Sequence, residues 1–249
     1  MIKAIYKLEL ISLFRTPFAW VLLGVGAALI AFQFLVQVEL YLSIVEKLRS
    51  VEQAPGATEL IVVPTIGFCA MVVTFLVPIV TMQSIAGERR RGTLQLLASS
   101  PVGMWSFVVA KFLSLATLFF ILWAIIGAML FSLLWGTQLD LGLCLGALIG
   151  IALYTLAAIS IGLCISALLE HTVAAGAASL AVLLFLWFCD WSSKASGEVN
   201  FFTHIASSQH FSRAASGLFD SFDILYFVAL SAAALGVTHW QLLNAKFPR

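Results

Sequence analysis

Long apolar stretches alternate with short polar ones along the whole chain. A helix that crosses the hydrocarbon core of a bilayer needs about 20 apolar residues, because its backbone polar groups must be satisfied within the segment. Stretches of this kind predict six membrane-spanning helices, at residues 18–38, 61–86, 105–135, 141–168, 172–189 and 223–243. The pattern therefore predicts an all-α integral membrane protein, with residues 1–249 forming a single transmembrane domain.

Four segments between or before these stretches are more polar. We predict that residues 1–16 lie in the inner membrane interface, before the first span. A charged stretch at about 39–60 is predicted to be an outer loop, and an arginine-rich stretch, Gly87–Pro101, follows the second span. Residues at about 190–222 mix phenylalanine with serine, histidine and glycine. That mixture suits short helices that lie in, or dip into, the outer interface.

The positions of lysine and arginine predict which side faces the cytoplasm. With the N-terminus inside, eight of these residues lie on the cytoplasmic side: Lys3, Lys7, Arg15, Arg89, Arg90, Arg91, Lys246 and Arg249. Four lie on the outer side: Lys47, Arg49, Lys194 and Arg213. The excess of positive charge predicts that both termini are cytoplasmic. Lys111 lies within the third span, where we expect its side chain to extend to the inner interface.

Composition supports a membrane protein and argues against several other classes. The chain is 62% hydrophobic and 10% charged, whereas soluble domains are about 25% charged. A net charge of +1 argues against a nucleic-acid partner. The cysteines lie in apolar runs without metal-ligand spacing, so we predict small buried side chains rather than disulfides. They are Cys69, Cys144, Cys164 and Cys189.

Motifs that carry catalysis are missing from the sequence. It has no G-x-x-x-x-G-K-[ST], no H-E-x-x-H and no G-x-S-x-G, so we predict a chain that is not itself an enzyme. No series of carboxylates crosses the predicted spans, which argues against a transporter driven by protons or sodium. His204 and His210 are close in sequence, but a metal contact there lacks a third ligand. We predict neither a metal nor a cofactor in this chain.

The stretch Gly87–Pro101 reads GERRRGTLQLLASSP. A topology signal needs only the positive charges, but the remaining residues predict a short amphipathic helix. Gly92 can break the preceding helix, Thr93 can cap the next one, and the final proline can end it. Leu94 and Leu97 then share one face, which could fit a groove on a soluble partner. From the residues alone, a docking element and a topology signal both stay open.

This stretch and its surroundings resemble a known family. SIAGERRRGTLQLLASSPVGMWSFVVAKFL is similar to the segment between the second and third spans of ATP-binding-cassette (ABC) permeases of the type-2 exporter class. The matching residues are Glu88, Arg89, Arg90, Gly92, Thr93, Leu94, Leu97, Pro101 and Lys111. Gln95 departs from the pattern, because a glutamate is common there.

The C-terminal region resembles a narrower branch of that class. HFSRAASGLFDSFDILYF is similar to the segment before the last span in gliding-motility and nitrous-oxide-reductase-maturation permeases. The matching residues are His210, Phe211, Gly217, Asp223, Tyr226 and Phe227.

The resemblance implies an export permease of the cytoplasmic membrane. Two permease subunits, identical or homologous, would pair with two cytoplasmic ATPase subunits, which bind ATP and magnesium. The coupling helix against the ATPase would comprise Glu88, Arg89, Arg90, Arg91, Gly92, Thr93, Leu94, Leu97 and Pro101. The segment before the last span would form short re-entrant helices on the outer side, with Phe201, Phe202, His210, Phe211, Asp223 and Tyr226.

Each of these interpretations has an alternative. The chain could instead be a structural anchor of a motility, secretion or metalloenzyme-maturation complex, or a membrane enzyme acting through its outer histidines. Glu88 could merely bond a helix end or pair with an arginine, and the arginines could bind anionic lipid headgroups. Asp223 could be the N-cap of the last span, and Tyr226 an interface anchor.

Overall fold

The computed structural model describes most of the chain, and every element in the described residues is helical. The described residues are 2–48, 56, 58–92, 103–135, 140–189, 206–217 and 220–246. The α-helices are α1 (Ile2–Arg15), α2 (Pro17–Leu48), α3 (Val63–Thr81), α4 (Ala86–Arg90), α5 (Met104–Ser132), α6 (Leu141–Leu168), α7 (Thr172–Phe188), α8 (Ser207–Ala215) and α9 (Ser221–Lys246). A π-helical turn, Thr58–Val62, leads into α3, and a 3-10 turn, Leu133–Trp135, follows α5. The predicted all-α fold is confirmed for these residues.

Helix length and composition make this a multi-pass membrane protein. Five helical stretches in the described residues are long and apolar enough to cross a bilayer: Pro17–Val45, Thr58–Arg90, Met104–Trp135, Leu141–Leu168 and Ser221–Asn244. Helix α7 is apolar but shorter. The assignment of six spans with both termini inside stays a prediction.

Helix α2 is longer than the apolar run that predicts it. The helix continues to Leu48, so the first part of the stretch assigned to an outer loop is helical. The reason is that residues 39–48 contain neither glycine nor proline to break the helix. At 1.5 Å per residue α2 is about 48 Å long, which exceeds the bilayer core of about 30 Å.

Helix α6 is the centre of the bundle. It packs against α3, α5, α7, α8 and α9, and small residues along it let these neighbours approach closely. A Cβ added to Gly150 would lie 2.9 Å from the Cβ of Ala214 in α8. A Cβ added to Gly162 would overlap the hydroxyl of Thr81 in α3 and lie 2.8 Å from its Cβ. These two glycines serve contacts within the chain.

The close approach at Gly162 gives a testable expectation for stability. Gly162→Ala should lower the free energy of unfolding by about 1–3 kcal/mol, because the added methyl forces α3 and α6 apart. Gly24→Ala is the matched control, since a Cβ there meets nothing within 4 Å. Thermal unfolding of the purified variants in detergent measures both. A Gly162→Ala variant as stable as Gly24→Ala would show that the helices move apart at little cost.

The helix leaving the second apolar stretch breaks earlier than the sequence predicts. Helix α3 ends at Thr81, and the chain turns before the one-and-a-half-turn helix α4 begins at Ala86. Gly92 does end the helix before it, as predicted: α4 stops at Arg90, and Gly92 has a φ of +72°. A positive φ is readily adopted only by glycine.

Candidate functional site

The arginine-rich end of the bundle, where α1, α4 and the start of α5 meet, holds the first candidate site. Helix α4 is fixed there by α6. The Oγ of Ser166 accepts hydrogen bonds from the backbone N–H groups of Ile85 at 3.2 Å and Ala86 at 3.0 Å. The same hydroxyl donates to the carbonyl of Met82 at 3.3 Å. One serine of α6 thus satisfies backbone groups on both sides of the break.

Arg89 adds a second bond between α4 and α6. Its Nη2 donates to the carbonyl oxygen of Ala167 at 2.9 Å, near the C-terminus of α6, where a positive charge is favourable. Arg90 and Arg91 are exposed. The arginine triplet is therefore divided between one residue that binds the bundle and two that face outward.

Lys111 joins three helices through a buried ion cluster. Its Nζ donates to Oε1 of Glu9 in α1 at 2.9 Å and to Oε1 of Glu88 in α4 at 2.7 Å. The Lys111 side chain is 2% exposed and each carboxylate side chain 22%. The expectation that Lys111 extends to the interface was wrong, because two carboxylates neutralise it inside the protein. The alternative interpretation of Glu88 named a helix end or an arginine as its partner; the structure shows an ion pair with Lys111.

Helix α1 is tied to α5 by more than the ion cluster. The hydroxyl of Tyr6 lies 2.8 Å from the Oγ1 of Thr117, and the Nζ of Lys111 lies 5.0 Å from the centre of the Phe107 ring, within cation–π range. We refer below to Glu9, Glu88 and Lys111 as the inner ion cluster. Through it, α1, α4 and α5 are connected to one another.

A second buried charge lies at the opposite end of the bundle, between α8 and α9. Asp223 is 1% exposed. Its Oδ1 lies 2.7 Å from Nη2 of Arg213 and 2.6 Å from Nδ1 of His210. Nη2 of Arg213 donates to it, because a guanidinium has no acceptor, and the same Nη2 lies 2.9 Å from Nδ1 of His210. Asp223 therefore connects the two helices, and the interpretation of it as an N-cap was wrong: Asp220, directly before α9, accepts from the backbone of Phe222 at 3.4 Å.

Aromatic rings surround this cluster of Asp223, His210 and Arg213. The ring of Tyr226 stacks on His210 at 4.1 Å with an interplanar angle of 16°, and its hydroxyl lies 3.1 Å from the Oγ of Ser207. Phe211 is buried and lies 5.8 Å from Tyr154 and 5.6 Å from Trp187, between ring centres. Tyr226 thus contacts Ser207 and His210 within the protein. A tyrosine that only anchored the chain at the membrane interface would not need these contacts.

An apolar cavity of about 560 Å³ lies between α2, α3 and α7. Its wall is mostly aromatic and aliphatic, with two uncharged polar side chains, Gln33 and Thr74. The other lining residues are Pro64, Gly67, Phe68, Met71, Phe75, Leu184, Trp187 and Phe188.

Several predicted residues lie outside the described part of the chain: Thr93, Leu94, Leu97, Pro101, Phe201, Phe202 and His204. Among the residues that the structure does describe, no group of three or more His, Cys, Asp or Glu could hold a metal ion. The four cysteines, all described, are free, as predicted. Cys69 and Cys144 are buried, whereas Cys164 and Cys189 are only partly buried, so the prediction of burial holds for two of the four.

Sequence reasoning did not find Glu9, Ser166 or Arg213. For Glu9 a signal existed. An ionisable residue inside an apolar helix calls for a partner, and Lys111 needed a carboxylate from the same side of the membrane. For Ser166 there was none, since serine is common in membrane helices and its role depends on the position of α4.

Fold and sites together define a multi-pass helical membrane protein in which the described residues form a buried charge cluster at each end of the bundle. A family model described as ABC-2 family transporter protein matches residues 3–197, well over half of the chain. The chain belongs to this family of membrane transport components. A comparison with curated proteins gives no match.

Proposed function

We propose that the chain is the permease subunit of an ABC exporter in the cytoplasmic membrane. It moves substrate outward with ATP hydrolysed by separate cytoplasmic ATPase subunits, and it pairs with a second copy or a homologous permease. ATP and magnesium bind the ATPase. The observation that carries this proposal is the attachment of α4, which leads directly into the predicted coupling segment. Helix α4 is bonded to α5 and α6, and through Lys111 of α5 it is connected to α1.

The bonds of α4 supply a route from the ATPase to the membrane helices. An ATPase that changes shape pushes on the segment after Gly92, and α4 is the first element to move. Glu88 passes the displacement to Lys111 in α5, and through it to Glu9 in α1. Arg89 and Ser166 pass it to α6. Coupling of this kind requires contacts that differ between two states. The charged hydrogen bonds of Glu88 and Arg89 are the candidates for such contacts.

The cavity between α2, α3 and α7 is our candidate for part of the substrate route. Apolar walls with a few polar groups are typical of binding sites for small molecules. Gln33 can accept and donate hydrogen bonds without adding a charge, whereas the hydroxyl of Thr74 is already bonded to Ala70 and Tyr154. The cavity therefore suits lipid-like, amphipathic or peptide cargo. The re-entrant outer helices, the six spans and the closer relation to motility and maturation permeases belong to the same proposal.

The docking segment is tested by a pull-down with the ABC ATPase encoded beside this gene. Leu94→Asp combined with Leu97→Asp should abolish capture of the ATPase, because two carboxylates would enter an apolar groove without partners. The matched control is Gln95→Asp with Ser99→Asp, which adds the same charge to the opposite face of a helix.

Equal capture of the ATPase by both double variants, with unchanged stimulation of ATP hydrolysis, would contradict the docking role. The segment would then act only as a topology signal. The anchor alternative predicts a different result. A complex that functions with a hydrolysis-deficient ATPase would show that the chain acts as an anchor rather than as a permease.

A further inference from the structure

A polar cavity of about 350 Å³ lies between the end of α4 and the start of α7. The residues that line it are Gln83, Gly87, Arg90, Arg91 and Thr172. None of them is acidic, so the two guanidiniums make the lining positively charged. The cavity is also much larger than the share of one water in the liquid, which is about 30 Å³. It therefore has room for an anionic group of several atoms.

The bonds that fix α4 also fix the position of the two arginines at this cavity. Ser166 bonds the start of α4 and Arg89 bonds Ala167, so the helix is held against α6. Arg90 and Arg91 are exposed. In the part of the chain that the structure describes, neither of their side chains forms a hydrogen bond or an ion pair. Their donors are thus available to a ligand from outside the chain.

The donors around the cavity are not equivalent. Arg91 also lines a second cavity, beside the inner ion cluster, and Glu88 balances part of its charge. Arg90 does not line that second cavity, so its charge belongs more fully to the first. Thr172 adds a hydroxyl and Gln83 an amide, both uncharged and able to donate.

The exposed side of α7 places this cavity at the edge of the membrane. Val173, in the first turn of α7, is 77% exposed, and Phe185 and Phe188, near its other end, are 63% and 53% exposed. An apolar helix that exposes large apolar side chains along its length faces lipid in a membrane protein. The start of such a helix lies where the hydrocarbon core meets the headgroups, which is the depth of the lipid phosphates.

We propose that this cavity binds the phosphate of an anionic phospholipid such as phosphatidylglycerol. Arg90 and Arg91 donate to the phosphate oxygens in the forked geometry that guanidinium groups favour, and Thr172 donates a further hydrogen bond. A zwitterionic headgroup is disfavoured, because its ammonium meets a lining without a carboxylate. Lipid binding, one alternative for the whole arginine triplet, is thus limited to two of its members, because Arg89 is already bonded to Ala167.

The test is native mass spectrometry of the full-length permease after delipidation. The protein is incubated with an equimolar mixture of phosphatidylglycerol, phosphatidylethanolamine and phosphatidylcholine with identical acyl chains, and we expect phosphatidylglycerol to be retained above the other two. Arg90→Gln should lower this retention about fivefold, because one basic residue near an anionic lipid surface contributes about 1 kcal/mol. Arg15→Gln is the matched control, because Arg15 is also an exposed arginine predicted on the inner side and does not line this cavity.

A second variant leaves every charge, and with it the predicted orientation in the membrane, unchanged. Thr172→Val removes one hydroxyl at nearly constant shape and should lower the retention of phosphatidylglycerol about threefold, the effect of one hydrogen bond of modest strength.

Several outcomes would overturn the proposal. These are equal retention of the three lipids by the wild type, or equal losses in Arg90→Gln and Arg15→Gln. Complete displacement of the lipid by inorganic phosphate would show that free phosphate is the ligand. Unchanged lipid retention in Arg90→Gln, together with lost capture of the ATPase, would assign this arginine to protein docking instead. The lipid measurement contains no ATPase, so its outcome is independent of the proposed function.

Discussion

Lys111→Met is expected to lower the free energy of unfolding by about 3 kcal/mol, because it removes the ammonium that bonds the carboxylates of both Glu9 and Glu88. Breaking a buried ion pair costs about 3–5 kcal/mol. We expect the lower end of this range, since each carboxylate is 22% exposed and partly solvated. The midpoint of thermal unfolding in detergent should fall by about 2–4 °C per kcal/mol.

A triple variant separates charge imbalance from packing. Glu9→Gln and Glu88→Gln added to Lys111→Met remove all three charges, and replacing a buried ion set by neutral groups is often neutral for stability. We therefore expect the triple variant to recover most of the lost stability. If the inner ion cluster couples the helices, stimulation of the partner ATPase stays impaired in this variant. A Lys111→Met variant that unfolds at the wild-type temperature would contradict the buried cluster.

Asp223→Ala is the second change with a large expected effect. It removes the carboxylate that Arg213 and His210 both contact, at 2.7 and 2.6 Å, and hydrogen bonds to charged groups contribute about 1.5–3 kcal/mol each. Arg213 is 45% exposed and can turn to water, so we expect a total loss of about 2–3 kcal/mol rather than the sum. Helix α8 should then become more accessible to limited proteolysis.

Asp220→Ala is the matched control for this prediction. Asp220 is exposed, lies directly before α9 and accepts one long hydrogen bond at 3.4 Å, so its removal should cost at most about 1 kcal/mol. The buried carboxylate of Asp223 should be the more costly one to lose. Equal unfolding temperatures and equal proteolysis rates for the two variants would show that Asp223 does not hold α8 against α9.

Much of the fold follows from apolar run length, because a helix surrounded by lipid has to satisfy its own backbone. Helices α5 and α6 begin and end within a few residues of the stretches that predict them. The break between α3 and α4 could not be predicted in this way. Residues 82–85 contain neither glycine nor proline, and the turn depends on Ser166, which is 80 residues from Ala86 in the sequence.

The inner ion cluster was only partly predictable, because one of its contacts also joins residues that are far apart in the sequence. Glu88 and Lys111 are singled out by the family motif, but their meeting with Glu9 depends on how α1 folds back at Thr16 and Pro17. The backbone N–H of Ala19 bonds to the carbonyl of Thr16 across that corner at 3.2 Å. Short-range patterns do not specify a contact between residues that are 102 positions apart.

The inner ion cluster also sets an order of events during synthesis of the chain. Glu9 and Glu88 precede Lys111 by 102 and 23 residues, so both carboxylates leave the ribosome before their cation does. Helix α1 therefore cannot make its bond to Lys111 until α5 has been synthesised. A nascent chain stalled before Lys111 would hold α1 undocked, whereas one stalled after α5 would allow it to fold back.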